Sequence, residues 1–142
     1  MTRTGTALSW GFTALRFANH GGVGATAVAN SSTGTPSLNI TTTENNSALV
    51  VAVVDNNAID GASRTWLTVN GITPTAGNGL ELVYFRNAVK YAAYVAYYSD
   101  AGVAGVKTVG LSAPAGTKWI VAAVEIKGTF DPRKASFLPF FL

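Results

Sequence analysis

From Gly24 onward, hydrophobic residues recur in short runs, many with a period of two, and clusters of Gly, Asn, Ser, Thr and Asp separate the runs. A period of two sends alternate side chains to opposite faces of an extended backbone, so the pattern predicts strands; helical spacing is nearly absent. The runs fall at about 24–29, 36–43, 48–55, 64–69, 80–87, 91–98, 106–112 and 118–127. Between them lie NSSTG (30–34), ENN (44–46), DNNAIDGA (55–62), NGITPTAGNG (70–79), SDAGVAG (99–105) and SAPAGT (112–117), all rich in residues that tolerate turns or positive φ. About eight short strands with such punctuation predict an all-β, two-sheet antiparallel β-sandwich of jelly-roll or Ig-like type.

Three of the runs are apolar at both parities: Leu49 to Val54, Tyr91 to Tyr98 and Trp119 to Ile126. The Ala content of YAAYVAYY also suits a helix, but its Tyr and Val content and its surroundings favour a strand. A sandwich strand in water needs only its inward face apolar, so these strands call for cover on the outside as well. Two covers are open: contact with other subunits, or the chain's own arm and loops.

The organisation expected is an N-terminal arm over 1–22, a sandwich over 23–128 and a docking tail over 129–142. The arm carries Trp10, Phe12, Leu15 and Phe17 as apolar contacts and leaves through the flexible His20-Gly21-Gly22. The tail reads KASFLPFFL after Arg133, with Phe137, Leu138, Phe140, Phe141 and Leu142 apolar and Arg133 and Lys134 basic. Burying its five Phe and Leu side chains contributes roughly 8–15 kcal/mol gross. Ordering six backbone residues costs roughly 6–12 kcal/mol, so only a well-matched groove holds the segment. Pro139 cannot donate to a strand ladder, and the aromatics read as plugs in pockets. The expectation is that Phe137, Leu138, Phe140, Phe141 and Leu142 anchor the chain to a neighbouring subunit, with Arg133 and Lys134 at the rim; docking on the chain's own sandwich is the other reading.

Composition narrows the classes further. Of the 142 residues 48% are hydrophobic and 12% charged, which excludes a disordered chain and fits one domain. The ten Lys and Arg give a net charge of +3 but are scattered, so no basic stripe tracks phosphates and no nucleic-acid partner is expected. There is no Cys, hence neither disulfide nor thiolate metal site. No apolar run reaches the roughly 18 residues of a membrane-spanning helix, and MTRTGTALSWGFTALRF lacks the apolar core of a signal peptide; the expectation is synthesis in a cytoplasm without membrane insertion.

Chemistry-bearing residues are sparse. The single His, His20, sits on the arm without a Cys partner, a poor basis for nucleophilic catalysis. Among the seven acids Glu81 and Glu125 fall on strands, while Asp55, Asp60 and Asp100 fall at turns, where Asx-type capping is routine. The loop from Asp55 to Gly61 is only faintly like a calcium loop and lacks its ligand pattern. No catalytic residue, cofactor or metal is assigned. Trp66 is the candidate for stacking on a sugar ring, although a Trp bridging two sheets is the more common arrangement.

The stretch from about Ser37 to Gly128, SLNITTTENNSALVVAVV followed by SRTWLTVNG, LELVYFRNAVKYAAYV and VKTVGLSAPAGTKWIVAAVEIKG, resembles jelly-roll-like β-sandwich domains in virion proteins of tailed phages, especially those of actinobacterial hosts. The ending DPRKASFLPFFL resembles endings in the same group. The resemblance implies a non-enzymatic minor tail or accessory structural protein, located in the virion, that assembles through its termini and sandwich faces with copies of itself or with tail or capsid subunits. Alternatives are a capsid decoration protein, or an adhesin-like module that binds host-surface carbohydrate.

Overall fold

The computed structural model describes residues 14–56, 63–87 and 91–128. Trp10, Phe12 and the whole of 129–142 lie outside the described residues. Eight strands follow in order: β1 (His20–Ser31), β2 (Ser37–Thr42), β3 (Ala48–Asn56), β4 (Thr65–Trp66), β5 (Glu81–Asn87), β6 (Tyr91–Tyr98), β7 (Gly105–Ala113) and β8 (Lys118–Gly128). They form two antiparallel sheets, a five-stranded one ordered β1-β8-β3-β6-β5 and a three-stranded one ordered β2-β7-β4. Among the described residues there is no α-helix.

The pairing is nested. β1 pairs β8, β2 pairs β7 and β3 pairs β6, as if one long hairpin had been rolled up, which is the jelly-roll arrangement. A fourth nested pair would join β4 to β5. Instead β4 has only two residues, and β5 pairs its chain neighbour β6 at the edge of the larger sheet.

Alternation decides which side chains enter the core. In β6, Ala92, Tyr94, Ala96 and Tyr98 are fully buried while the intervening residues are half-buried on the other face. The small Ala residues leave room that the two Tyr rings occupy, so an Ala-rich segment works as a strand. Leu49, Val51 and Val53 of β3 and Trp119, Val121 and Ala123 of β8 join them, facing Leu38, Ile40, Val109, Leu111 and Trp66 from the smaller sheet.

Two boundaries differ from the sequence expectation. His20-Gly21-Gly22, expected as a flexible exit from the arm, opens β1, and His20 pairs with Gly128. A Cβ at Gly21 would lie 2.4 Å from the Gly128 carbonyl oxygen, so this glycine permits backbone approach rather than flexibility. The strand expected over 64–69 shortens to β4 because the chain turns soon afterwards. Val69 and Ile72 bridge across Asn70-Gly71, both at positive φ (47° and 75°), a two-residue hairpin turn.

Candidate interaction surface

The two sheets present opposite chemistry to the outside. The smaller sheet shows Asn39, Thr41, Thr108 and Ser112 beside Val106, and the Thr108 hydroxyl donates to Asn39 Oδ1 at 2.8 Å. The larger sheet shows aligned apolar rows. Register places Ile120 of β8 beside Val54 of β3, then Ala93 of β6 and Phe85 of β5. The next row is Val28, Ala122, Ala52, Val95 and Val83, and the third is Thr26, Val124, Val50 and Tyr97. None of these rows contains a charged residue. Several members are well exposed: Val28 71%, Ile120 and Phe85 51%, Val54 40%.

One end of this face carries the chain's own N-terminal side. Leu15, Arg16 and Phe17 border a groove of about 540 Å³ with His20, Val23, Val50, Val124 and Ile126. The Phe17 ring lies 5.6 Å from that of Tyr97. The expected arm contact of Phe17 is therefore made within the chain, on the larger sheet. The rows of Val28 and Ile120 lie beyond this groove and are not among its lining residues.

A buried carboxylate holds that end of the sandwich together. Glu125 shares parity with Trp119, Val121 and Ala123 and points inward, fully buried. Its oxygens accept hydrogen bonds from the backbone N–H of Ala25 (2.8 Å), Thr43 (2.9 Å) and Glu44 (3.1 Å) and from the Thr43 hydroxyl (2.9 Å). Burial alone would raise its pKa, but these donors together outweigh burial and hold it at about 2. Gly24 makes the site possible, since a Cβ there would lie 2.2 Å from Glu125 Oε2.

A second polar cluster lies between β4 and β5. Arg64 Nε and Nη2 grip the two oxygens of Glu81 as a fork, and Trp66 Nε1 donates to Glu81 Oε1 at 3.2 Å. The Glu81 pKa is lowered: burial pushes it up, but the hydrogen bonds from Arg64 and Trp66 and the charge of Arg64 prevail. The Arg64 guanidinium sits 3.9 Å above the Tyr84 ring and 5.9 Å from that of Tyr94, and the two Tyr rings stack on each other at 5.7 Å.

These contacts correct the sugar-stacking expectation for Trp66. The ring is buried and edge-on to Tyr94 at 6.5 Å, so it bridges sheets instead of facing solvent. Tyr84, its half-exposed neighbour, packs against Arg64 and Tyr94. The groove beside them, about 230 Å³, is lined by Arg64, Trp66, Thr73, Pro74, Thr75 and Glu81, and Trp66 is its aromatic residue and is buried.

Asp55 also departs from expectation. Placed at a turn by its Asn-rich surroundings, it is the penultimate residue of β3 and fully buried. Among the described residues neither of its oxygens meets a hydrogen-bond partner within bonding geometry, nor do the buried Tyr94 hydroxyl and Thr117 hydroxyl. Burial raises its pKa, and the nearby Thr117 hydroxyl offsets only part of this. Burial first and the Asp55 charge second push the Tyr94 hydroxyl to about 12. The signal for Asp55 was its odd parity, shared with Leu49, Val51 and Val53. Asp60 lies outside the described residues, and Asp100 caps its turn as expected, accepting from Gly102 N at 2.7 Å.

Glu81 and Glu125 do not converge. Three interstrand spacings separate β5 from β8, about 14 Å, well beyond the roughly 5–9.5 Å that two glycosidase carboxyls span. His20 is exposed, its Nδ1 accepting from Gly22 N at 3.0 Å. Among the described residues no three of His, Asp and Glu gather as metal ligands. Comparison with protein-family models, curated proteins and solved structures finds no match to this chain.

Proposed function

We propose that this chain is a non-enzymatic structural protein of a virion, of the minor tail or accessory type, that associates through the outer face of its larger sheet and its apolar end segments. The carrying observation is the asymmetry of the sandwich: polar outer positions on β2 and β7, and charge-free apolar rows on β8, β3 and β6. A subunit built into a particle has use for one wet and one covered face. The resemblance of residues 37–128 to jelly-roll domains of tailed-phage virion proteins supports the class.

The polar clusters fit a scaffold. Glu125, Glu81 and Arg64 are occupied by fixed partners that tie turns and strands together, and the aromatics near the loops are spent on packing. Sedimentation of the full chain across concentration, beside Ile120→Lys, tests the reading. The wild type is expected to associate and Ile120→Lys to remain a monomer with a similar melting temperature. A wild type that stays monomeric at every concentration contradicts self-association through this face.

A further inference from the structure

β1 lies at one edge of the larger sheet, and among the described residues its one ladder neighbour is β8. Its register shifts fall between His20 and Thr26, whereas Thr26 to Ser31 pairs regularly with Val124 to Trp119. Soluble proteins keep an edge strand from pairing further with a charge, a proline or a bulge, and the segment TAVANS (26–31) has none of these. The other edges differ. β5 carries Glu81 and Arg86 and a register shift between Glu81 and Val83, and β4 has only two residues. β2 is also uncharged, but its inward Leu38, Ile40 and Thr42 are buried. Ala27 and Ala29, inward on β1, stay half-buried although their ladder partners Ala123 and Val121 are fully buried. The residual exposure therefore lies on the edge side of β1.

A strand edge takes another strand, and the pattern of this one selects its own copy. Antiparallel pairing sets directly opposite side chains on the same face, so the outward Thr26, Val28 and Asn30 must meet outward residues. A two-fold axis at Val28 meets this condition with like against like: Val28 faces Val28 of the copy, Thr26 faces Asn30, and Ala27 faces Ala29. An axis at Ala27 or Ala29 would set Val28 against Thr26 or Asn30 instead.

The size of the outer face points the same way. The rows of Ile120 and Val28, about 7 Å apart over five strands about 4.8 Å apart, project on the order of 300 Å². That is well under the roughly 800 Å² per partner of a standard protein–protein interface. Joining two β1 edges doubles it. The row Val83, Val95, Ala52, Ala122, Val28 then runs straight into the Val28 of the copy, about 43 Å across two five-stranded sheets without a charged residue.

We propose that two copies of this chain pair antiparallel through residues 26–31 of β1, about a two-fold axis at Val28, and so join their larger sheets into one. This rests on the assembly reading and names the contact that gives the outer face its working size. Six paired residues hold a dimer poorly by themselves, so edge pairing and burial of the joined face act together, and Ile120→Lys releases both.

Single thiols in the full chain, which has no Cys of its own, test the register. Directly opposite Cα atoms lie about 4.5–5.5 Å apart, within disulfide reach, so Val28→Cys is expected to oxidise to a covalent dimer at concentrations where the wild type associates. Thr26 and Thr26 of the copy are four residues of rise apart, about 14 Å, as are the two Asn30. Thr26→Cys and Asn30→Cys are therefore expected to crosslink at least about tenfold more slowly alone, and to crosslink to each other when mixed. All three positions are exposed, and melting temperatures confirm that the variants fold. Equal crosslinking at the three positions overturns the proposal. If the wild type associates, Ile120→Lys does not, and Val28→Cys fails to crosslink, the edge is unused: this proposal falls while the assembly reading stands. A wild type that stays monomeric at every concentration, with Val28→Cys uncrosslinked, removes both.

Discussion

Protonating Glu125 takes away the acceptor on which three backbone N–H groups and the Thr43 hydroxyl converge. Its pKa is held at about 2 against the usual 4.5, and at about 1.4 kcal/mol per pH unit that difference stabilises the fold by roughly 3 kcal/mol. The pKa is depressed, so the stabilisation is complete above about pH 4.5 and is lost as pH falls toward 2. Roughly 2 kcal/mol of it has gone by pH 3. Glu125→Gln keeps the shape but turns an amide NH2 toward backbone donors, and is expected to cost about 3 kcal/mol at pH 6. Urea unfolding followed by Trp fluorescence at pH 6 and pH 3 isolates the effect, because every other titrating group contributes to both proteins. The gap between wild type and variant is expected to shrink from about 3 to about 1 kcal/mol. A gap that stays constant over this range refutes the reasoning.

The same geometry sets further outcomes. Gly24→Ala drives a Cβ against Glu125 Oε2 and is expected to cost about 2 kcal/mol in thermal unfolding, with little added cost on a Glu125→Ala background, where the clashing carboxyl is gone. Arg64→Ala leaves the buried Glu81 carboxylate without its cation and is expected to lose about 3–5 kcal/mol in urea unfolding, part of which Glu81→Gln recovers. Asp55 has a raised pKa, so it imposes no penalty below its usual 3.8 and a growing one as pH rises through the raised value. Asp55→Asn is therefore expected to be more stable than wild type at pH 7, by about 1–3 kcal/mol, and nearly equal to it at pH 3, as read by calorimetry.

Strand existence was legible because nearly every strand obeys the period of two, and Ala92 to Tyr98 shows how Tyr content outweighs Ala when alternate positions pack. Both faces of β3, β6 and β8 read as apolar from sequence, and the structure turns that into one continuous outer face. What periodicity does not show is partnership. β5 belongs with β6 rather than β4 because β4 ends after Trp66, where the chain bends toward the Asn70-Gly71 turn. The inward parity of Glu125 was visible, but its donors come from Ala25, 100 positions away in the chain, and from the turn at Thr43, 82 positions away. Sequence left Trp66 open between stacking on a sugar and bridging the sheets because its partners, Glu81 and Tyr94, arrive from strands that follow it.

Side-chain footprinting of the full chain at low and high concentration addresses the central claim most directly. Val28, Ile120 and Phe85 are open on the larger sheet, while Val103 and Val106, at 74% and 64% exposure, lie elsewhere on the molecule and serve as internal references. The account predicts that labelling of Ile120 and Phe85 falls as the protein associates while Val103 and Val106 stay unchanged. Unchanged labelling of the larger sheet in the associated state, or protection confined to Val103 and Val106, contradicts it.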